Sequence, residues 1–406
     1  MGLASLPPFL PVGHKVLSNS KNSYFYKKNV MKKVLFILLT FILIPVAVAQ
    51  QEGYVFTIKK DLPCTTVKNQ SSTSTCWCFS GISMLESELI RLGKKPVDLS
   101  EMFVVSLTYE KKADMHVRMH GSSNFAGGGE YGDVLSICRE YGLVPETVYP
   151  GLNYGEKAHN HGELDAVLKG YVEKLTGRSR LTTAWMNGFK GILDAYLGEI
   201  PKTFTWEGKN YTPYSFMKEL GINPDDYITI TSFSHHPFYE KFVLEVPDNW
   251  AAGLFYNLPV EEMMQVIDYS INNGYTVAWA SDVSDRGFSM KEGVAVVPEK
   301  EWNEMTSEEA ENVFKAPVKQ KLITQEMRQK EFDNFSTTDD HGMHIVGIAT
   351  DQQGNIYYKV KNSWGETGKY KGFIYVSRPF VMLRTTNCMV NKNGIPPAIA
   401  QKLGIK

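Results

Sequence analysis

Residues 69–80 read Asn-Gln-Ser-Ser-Thr-Ser-Thr-Cys-Trp-Cys-Phe-Ser. They place Cys76 where a polar, irregular stretch gives way to a helical pattern. At a helix N-terminus the free N–H groups and the positive dipole end favour thiolate over thiol. A thiolate is the nucleophile that peptide hydrolysis uses. Gln70 lies six residues upstream, on a segment able to fold back beside the sulfur. Its amide and the Cys76 N–H can donate to the oxyanion of a tetrahedral intermediate. The base must come from elsewhere in the chain. Asp339-Asp340-His341-Gly342-Met343-His344 offers two histidines, and strand alternation puts them on opposite faces. His341, at the polar start of the strand, is the one that reaches a cleft. Asn362, in Lys361-Asn362-Ser363-Trp364-Gly365, can accept from the imidazole N–H and hold its productive tautomer. Trp364 can cover that bond and exclude water.

These groups need elements to hold them. Phe79, Ile82, Leu85, Leu89 and Leu92 recur at three- and four-residue steps, which predicts a helix over 76–92 ended by Gly93. A second helix is expected after Asp98, with Glu101 completing a capping box, and a third over 131–141. The segment 152–257 mixes helical patterns (164–175, 185–197) with a strand-like 227–233. A helix over 261–273 and a strand over 275–283 follow, then short helices over 307–314 and 324–332. The C-terminal part is strand-rich: 344–349, 356–360 after the turn Asp351-Gln352-Gln353-Gly354, and 372–377. A helical first half and a β last half make an α+β protein with its site between two lobes.

Composition adds limits. The 406 residues carry a net charge of −1 and 43% hydrophobic residues. That balance gives no reason to expect nucleic acid or an anionic membrane as partner. Lys27, Lys28, Lys32 and Lys33 precede an apolar run over 34–48 and a small-residue site at Ala47-Val48-Ala49. That order is a secretory signal peptide, too short to span a bilayer. Met31 is its natural start, which makes 1–30 an upstream extension. The expected organisation is therefore 1–49 extension plus signal, 50–151 helical lobe with the nucleophile, 152–257 insertion, and 258–406 β lobe with His341 and Asn362. The protein is expected to be exported, periplasmic or secreted, with no stable membrane anchor once 31–49 is removed. Five cysteines, Cys64, Cys76, Cys78, Cys138 and Cys388, leave at least one thiol unpaired. Cys76-x-Cys78 is too tight for the usual zinc spacing, and His116 with His120 lacks a third ligand.

Taken together, residues 70–79, the His341-x-Met343-x-x-Val346-Gly347 run and Lys361-Asn362-Ser363-Trp364-Gly365 resemble the papain superfamily of cysteine peptidases, whose nucleophile motif is a known signature. Gly128-Gly129-Glu130-Tyr131-Gly132-Asp133 and Tyr141-Gly142-Leu143-Val144-Pro145 are similar to its bleomycin hydrolase and bacterial aminopeptidase C branch. The long separation of Cys76 from His341, against roughly 130–150 residues in papain, points the same way. The resemblance implies a two-lobe fold, a helical N-terminal lobe and an antiparallel β C-terminal lobe, with a large helical insertion. It implies Cys76 as nucleophile, His341 as general base then acid, Asn362 as orienter and Gln70 as oxyanion donor, with Gly128, Gly129 and Trp364 binding substrate. It implies a thioester acyl-enzyme and no metal or organic cofactor. Peptides are the expected partners and a homo-oligomer stays open. The branch's long C-terminal arm, which limits cleavage to N-terminal residues, is shorter here. The resemblance makes an aminopeptidase the first reading; the shorter arm sets beside it an endopeptidase with an open cleft, and a non-catalytic peptide-binding protein is the third.

Overall fold

The computed structural model describes residues 53–405. The signal-like segment and the extension before it lie outside those residues. Strand β1 (Thr57–Asp61) leads to helices α1 (Cys76–Arg91), α2 (Glu101–Arg118) and α3 (Tyr131–Glu140). Helices α4 (Gly162–Thr176) and α5 (Ala184–Leu197), a hairpin β2 (Phe204–Trp206) and β3 (Lys209–Tyr211), and α6 (Pro213–Leu220) follow. Then come β4 (Tyr227–Thr231), β5 (Lys241–Val243), β6 (Leu254–Asn257), α7 (Val260–Asn272), β7 (Val277–Ser281), β8 (Phe288–Ser289) and β9 (Val294–Ala295). Two short helices, α8 (Ser307–Asn312) and α9 (Gln325–Asp333), precede β10 (His341–Thr350), β11 (Ile356–Lys361) and β12 (Phe373–Ser377). The chain closes with α10 (Arg378–Arg384), β13 (Thr385–Asn391) and α11 (Pro397–Lys402).

The predicted helix over 76–92 is α1, and Gly93 ends it at φ +70°. Its apolar stripe predicts one buried face, yet every residue of 77–89 is buried. The reason is its place: α1 packs on α2 and α3 on one side and on β7 and β10 on the other. Its polar residues are therefore satisfied internally. Ser80 donates to the Cys76 carbonyl (2.7 Å) and Ser83 bonds His344 Nδ1 (2.9 Å). Glu86 takes Lys68 Nζ (3.0 Å) and the Leu99 N–H (2.9 Å). An unpartnered carboxylate at that depth would be strongly destabilising. Lys68 also reaches Asp98 (2.6 Å) and Glu101 (2.7 Å), tying the loop before Cys76 to α2. The cap of α2 is Ser100, which accepts from the Phe103 N–H (3.0 Å). Asp98 does not cap it, because its carboxylate is turned to Lys68.

Strands β4 to β13 and β1 make one eleven-stranded sheet in the order β5-β6-β4-β13-β7-β10-β11-β12-β9-β8, with β1 on β10. Most pairs are antiparallel; β4/β6 and β9/β12 are parallel. The expected insertion is helical only in its first part. Its strands β4, β5 and β6 extend the sheet through β13. One core cluster unites α1 to α6, and a second lies beneath the sheet and α7. The nucleophile's helix and the histidine's strand meet where the two adjoin.

Candidate active site

The segment before Cys76 is bent by short polar contacts. Asn69 Oδ1 accepts from the Ser71 N–H (2.9 Å), and Ser71 sits at φ +53°, a conformation costly for a residue with a Cβ. Thr73 Oγ donates to the Gln70 carbonyl (2.9 Å). The Gln70 N–H bonds the Ser363 carbonyl (2.8 Å), so this loop and the one carrying Asn362 are stitched together. The Gln70 amide is fixed at both ends: Ser363 Oγ donates to Oε1 (2.6 Å) and Nε2 donates to the Thr73 carbonyl (2.8 Å). One Nε2–H and the Cys76 N–H have no acceptor among the described residues. Those are the two donors an oxyanion needs.

His341 begins β10, opposite Ser281 of β7. Its neighbour Gly342 lies directly on the start of α1. A Cβ there would stand 2.8 Å from Ser80 Oγ and 3.2 Å from the Cys76 carbonyl atoms. Glycine thus lets β10 approach closely enough for His341 and Cys76 to line one cavity. The imidazole tautomer follows from its partners. Asn362 Oδ1 accepts from the Ser363 N–H (2.7 Å), so it must also be the acceptor toward His341 Nε2 (2.7 Å). Nε2 therefore carries the proton, and Nδ1 is left with a lone pair for the thiol. The Trp364 ring lies over the imidazole, centroids 4.6 Å apart. His344 faces the other way, toward Ser83, as strand parity requires.

The electrostatics correct one expectation. Burial pushes the Cys76 thiol up to about 11, against the N–H groups of Gly342 and Trp77 and with the help of Asp248 and Asp340. Burial also lowers the His341 imidazole, opposed by Asn362 and Asp340. Burial is the largest of these influences on Cys76, and the two carboxylates act in the same direction. Burial thus acts against charge on Cys76 and on His341 taken singly. Proton transfer between them then creates both charges together, which costs less than either alone.

Short contacts fix the 126–130 strip beside the nucleophile. Trp77 Nε1 donates to the Gly127 carbonyl (3.1 Å), and Lys112 Nζ donates to the carbonyls of Ala126 (2.7 Å) and Gly128. The 246–250 segment crosses this strip. A Cβ at Gly128 would overlap the Asp248 carboxylate. Gly129, Glu130, Asp248, Asp339 and Asp340 share the small cavity of Cys76 and His341. Sequence reasoning named Cys76, His341, Asn362, Gln70, Gly128, Gly129 and Trp364; all lie at this site, Gly128 with the Asp248 carboxylate against it. It missed Ser363, Lys112 and Asp248, whose chemistry comes from segments far apart in the chain. Asp282 accepts from the N–H groups of Ser284 and Thr338 (2.9 Å each). Glu130 is buried and bonds Asn387 (2.9 Å).

All five cysteines are free thiols, so Cys64 and Cys78 are unpaired. Among the described residues one group, His235, His236 and Glu245, has the composition of a metal site. Its hydrogen bonds oppose that use. Gln329 Oε1 accepts from the Ser234 N–H (2.6 Å), so Gln329 Nε2 donates to His235 Nδ1 (3.0 Å). His235 Nε2 then keeps its proton for Glu245 (3.0 Å) and has no lone pair for a metal.

The model of the peptidase C1-like family matches residues 99–404. The chain belongs to that family. It is a cysteine peptidase with a papain-like α+β fold. Aminopeptidase G of Lactobacillus delbrueckii subsp. lactis is 26% identical over 365 residues, 78% of each chain. Bleomycin hydrolase of Rattus norvegicus is 22% identical over 387 residues, 82% of each chain. The crystal structure of PepW from Lactobacillus rhamnosis HN001 superposes with a TM-score of 0.67 at 17% identity, covering 96% of this chain and 95% of that one. The likeness to PepW is one of fold. The family match begins after Gln70 and Cys76, so their roles rest on the geometry above.

Proposed function

We propose that this protein is an exported aminopeptidase acting through a thioester on Cys76. His341 Nδ1 takes the thiol proton as the sulfur attacks the scissile carbonyl. Gln70 Nε2 and the Cys76 N–H receive the oxyanion. The imidazolium then gives its proton to the departing amine, and the thioester forms. Water, deprotonated by His341, releases the acid and restores the thiol. Asn362 keeps Nε2 as the donor throughout, and Trp364 shields that bond.

The observation that carries the exopeptidase reading is the Asp248 carboxylate seated against Gly128. On this reading an extended substrate places one residue before the scissile bond and meets Asp248 there. The relatives named aminopeptidase support the same mode. An open-cleft endopeptidase needs that strip uncovered, and a non-catalytic peptide binder has no use for an oriented histidine and two vacant donors beside a thiol. The expected result, in reductant, is hydrolysis of a peptide with a free N-terminus and none of the same peptide acetylated. Equal hydrolysis of both forms would make it an endopeptidase; binding of either without turnover would make it a binding protein.

Export is supported by the basic, apolar and small-residue zones over 27–49. Enzyme recovered outside the cytoplasm of its host should have an intact mass that begins at Gln50. A cytoplasmic enzyme retaining Met31 would overturn export.

A further inference from the structure

The segment between β5 and β6 does more than fill space. It is pinned on both sides of the cleft. Asn124 Nδ2 donates to the Pro247 carbonyl (3.1 Å) and to Asp248 Oδ1 (3.3 Å). Trp250 Nε1 donates to Asp133 Oδ2 (3.0 Å). The Asp248 N–H bonds Asp339 Oδ2 (2.9 Å), two residues before His341. These bonds hold the Asp248 side chain against Gly128, in the cavity that contains Cys76.

We propose that the Asp248 carboxylate receives the free α-ammonium of the substrate and thereby sets cleavage one residue from the N-terminus. This rests on the aminopeptidase reading and names the group that enforces it. Asp248 is partly buried and forms no ion pair among the described residues. The cation nearest in charge terms, Lys112, is spent on the carbonyls of Ala126 and Gly128. Lys112 acts on Asp248 only through space, and an ammonium arriving at Gly128 supplies a cation in direct contact. The cavity measures about 20 Å³, room for about one water and hence for a group the size of an ammonium. Among the described residues, none after Gly342 lines it. The C-terminal helix α11 is engaged elsewhere: Ile399 and Leu403 join the core beneath the sheet, and Lys402 bonds Glu262 (2.6 Å). A bound ammonium also offsets the field by which Asp248 disfavours the Cys76 thiolate.

The test is a cycle between enzyme and substrate. Asp248→Asn keeps the shape and the backbone bond to Asp339 but removes the charge. With the free-amine peptide its KM should rise at least about 30-fold, as for a buried charge pair deprived of one member, with kcat little changed. The des-amino peptide, which lacks the ammonium, should suffer that loss with wild type and no further loss with Asp248→Asn. Asp248→Gly uncovers Gly128 and should begin to hydrolyse the acetylated peptide. The proposal falls if Asp248→Asn handles the free-amine peptide like wild type while acetylated peptide is still rejected; the exopeptidase reading then stands with another anchor. It falls equally, without any variant, if wild type hydrolyses des-amino and free-amine peptides alike. Acetylated peptide cleaved by wild type sinks the exopeptidase reading itself.

Discussion

Cys76→Ala should reduce peptide hydrolysis to background while the protein melts at the wild-type temperature. The expected fall in kcat is on the order of 10⁶-fold, the size seen when a covalent nucleophile is removed from such a triad. Nothing else near the cavity can replace it: Cys78 is buried and its sulfur donates to the Glu101 carbonyl (3.3 Å). Stability should survive because the Cys76 sulfur is only a weak acceptor for the Gly342 and Trp77 N–H groups, and the side chain keeps part of its surface open. Cys138→Ala gives the opposite pattern. Its side chain is fully buried among α1 to α6, so it should lower stability and leave the rate of the folded fraction unchanged. Activity measured per folded molecule, with thermal unfolding alongside, separates the two. Substantial hydrolysis by Cys76→Ala would refute Cys76 as nucleophile.

Gly142→Ala should be among the most destabilising single-methyl additions to the helical half. Gly142 follows α3 at φ +100°. Its N–H closes the helix on Cys138 (3.1 Å), and the next residue, Leu143, bonds the Pro213 carbonyl (3.1 Å) at the start of α6. A Cβ would overlap the Pro213 carbonyl and the Tyr214 nitrogen, which are backbone atoms and cannot swing aside. Backbone strain of about 1–3 kcal/mol adds to overpacking of about 1–3 kcal/mol. Together they put the loss near about 4 kcal/mol. Gly132→Ala is the control. It lies within α3 with nothing within 4 Å of its Cβ, so it should be neutral or stabilise by up to about 1 kcal/mol. Denaturant midpoints compare them directly. A Gly142→Ala protein as stable as wild type would show that α6 can move away from α3.

Much of this architecture is written locally. Periodicity located α1, α3, α5 and α7 to within two residues, because each buries an apolar face that recurs at the helical step. Strand β10 was visible in part, and its parity was enough to choose His341 over His344. The nucleophile's place at the start of α1, the Asn362 loop and Gln70 were legible because each is a short run with its own chemistry. Strand β13 was not. Its sequence, Thr-Thr-Asn-Cys-Met-Val-Asn, looks half polar, yet every residue is buried between β4 and β7, and Asn387 is turned to Glu130. Polarity of that kind is satisfied by partners that only the assembled sheet supplies.

The sequence by itself determined the reaction: a cysteine, a histidine, an asparagine and a glutamine in ordered motifs, on elements whose periods predict where each stands. Tertiary structure decided what surrounds them. The Cys76 thiol is raised rather than lowered, because burial and the charges of Asp248 and Asp340 are set by packing and not by neighbours in the chain. The Gln70 amide is aimed by Ser363, and the imidazole tautomer by the bond between the Ser363 N–H and Asn362. The contact of Asp248 with Gly128 was likewise invisible, since Asp248 lies in a loop with no motif of its own and reaches Gly128 only when β5 and β6 join the sheet. Local spacing encodes which groups can react; distances between segments far apart in the chain encode what they react with.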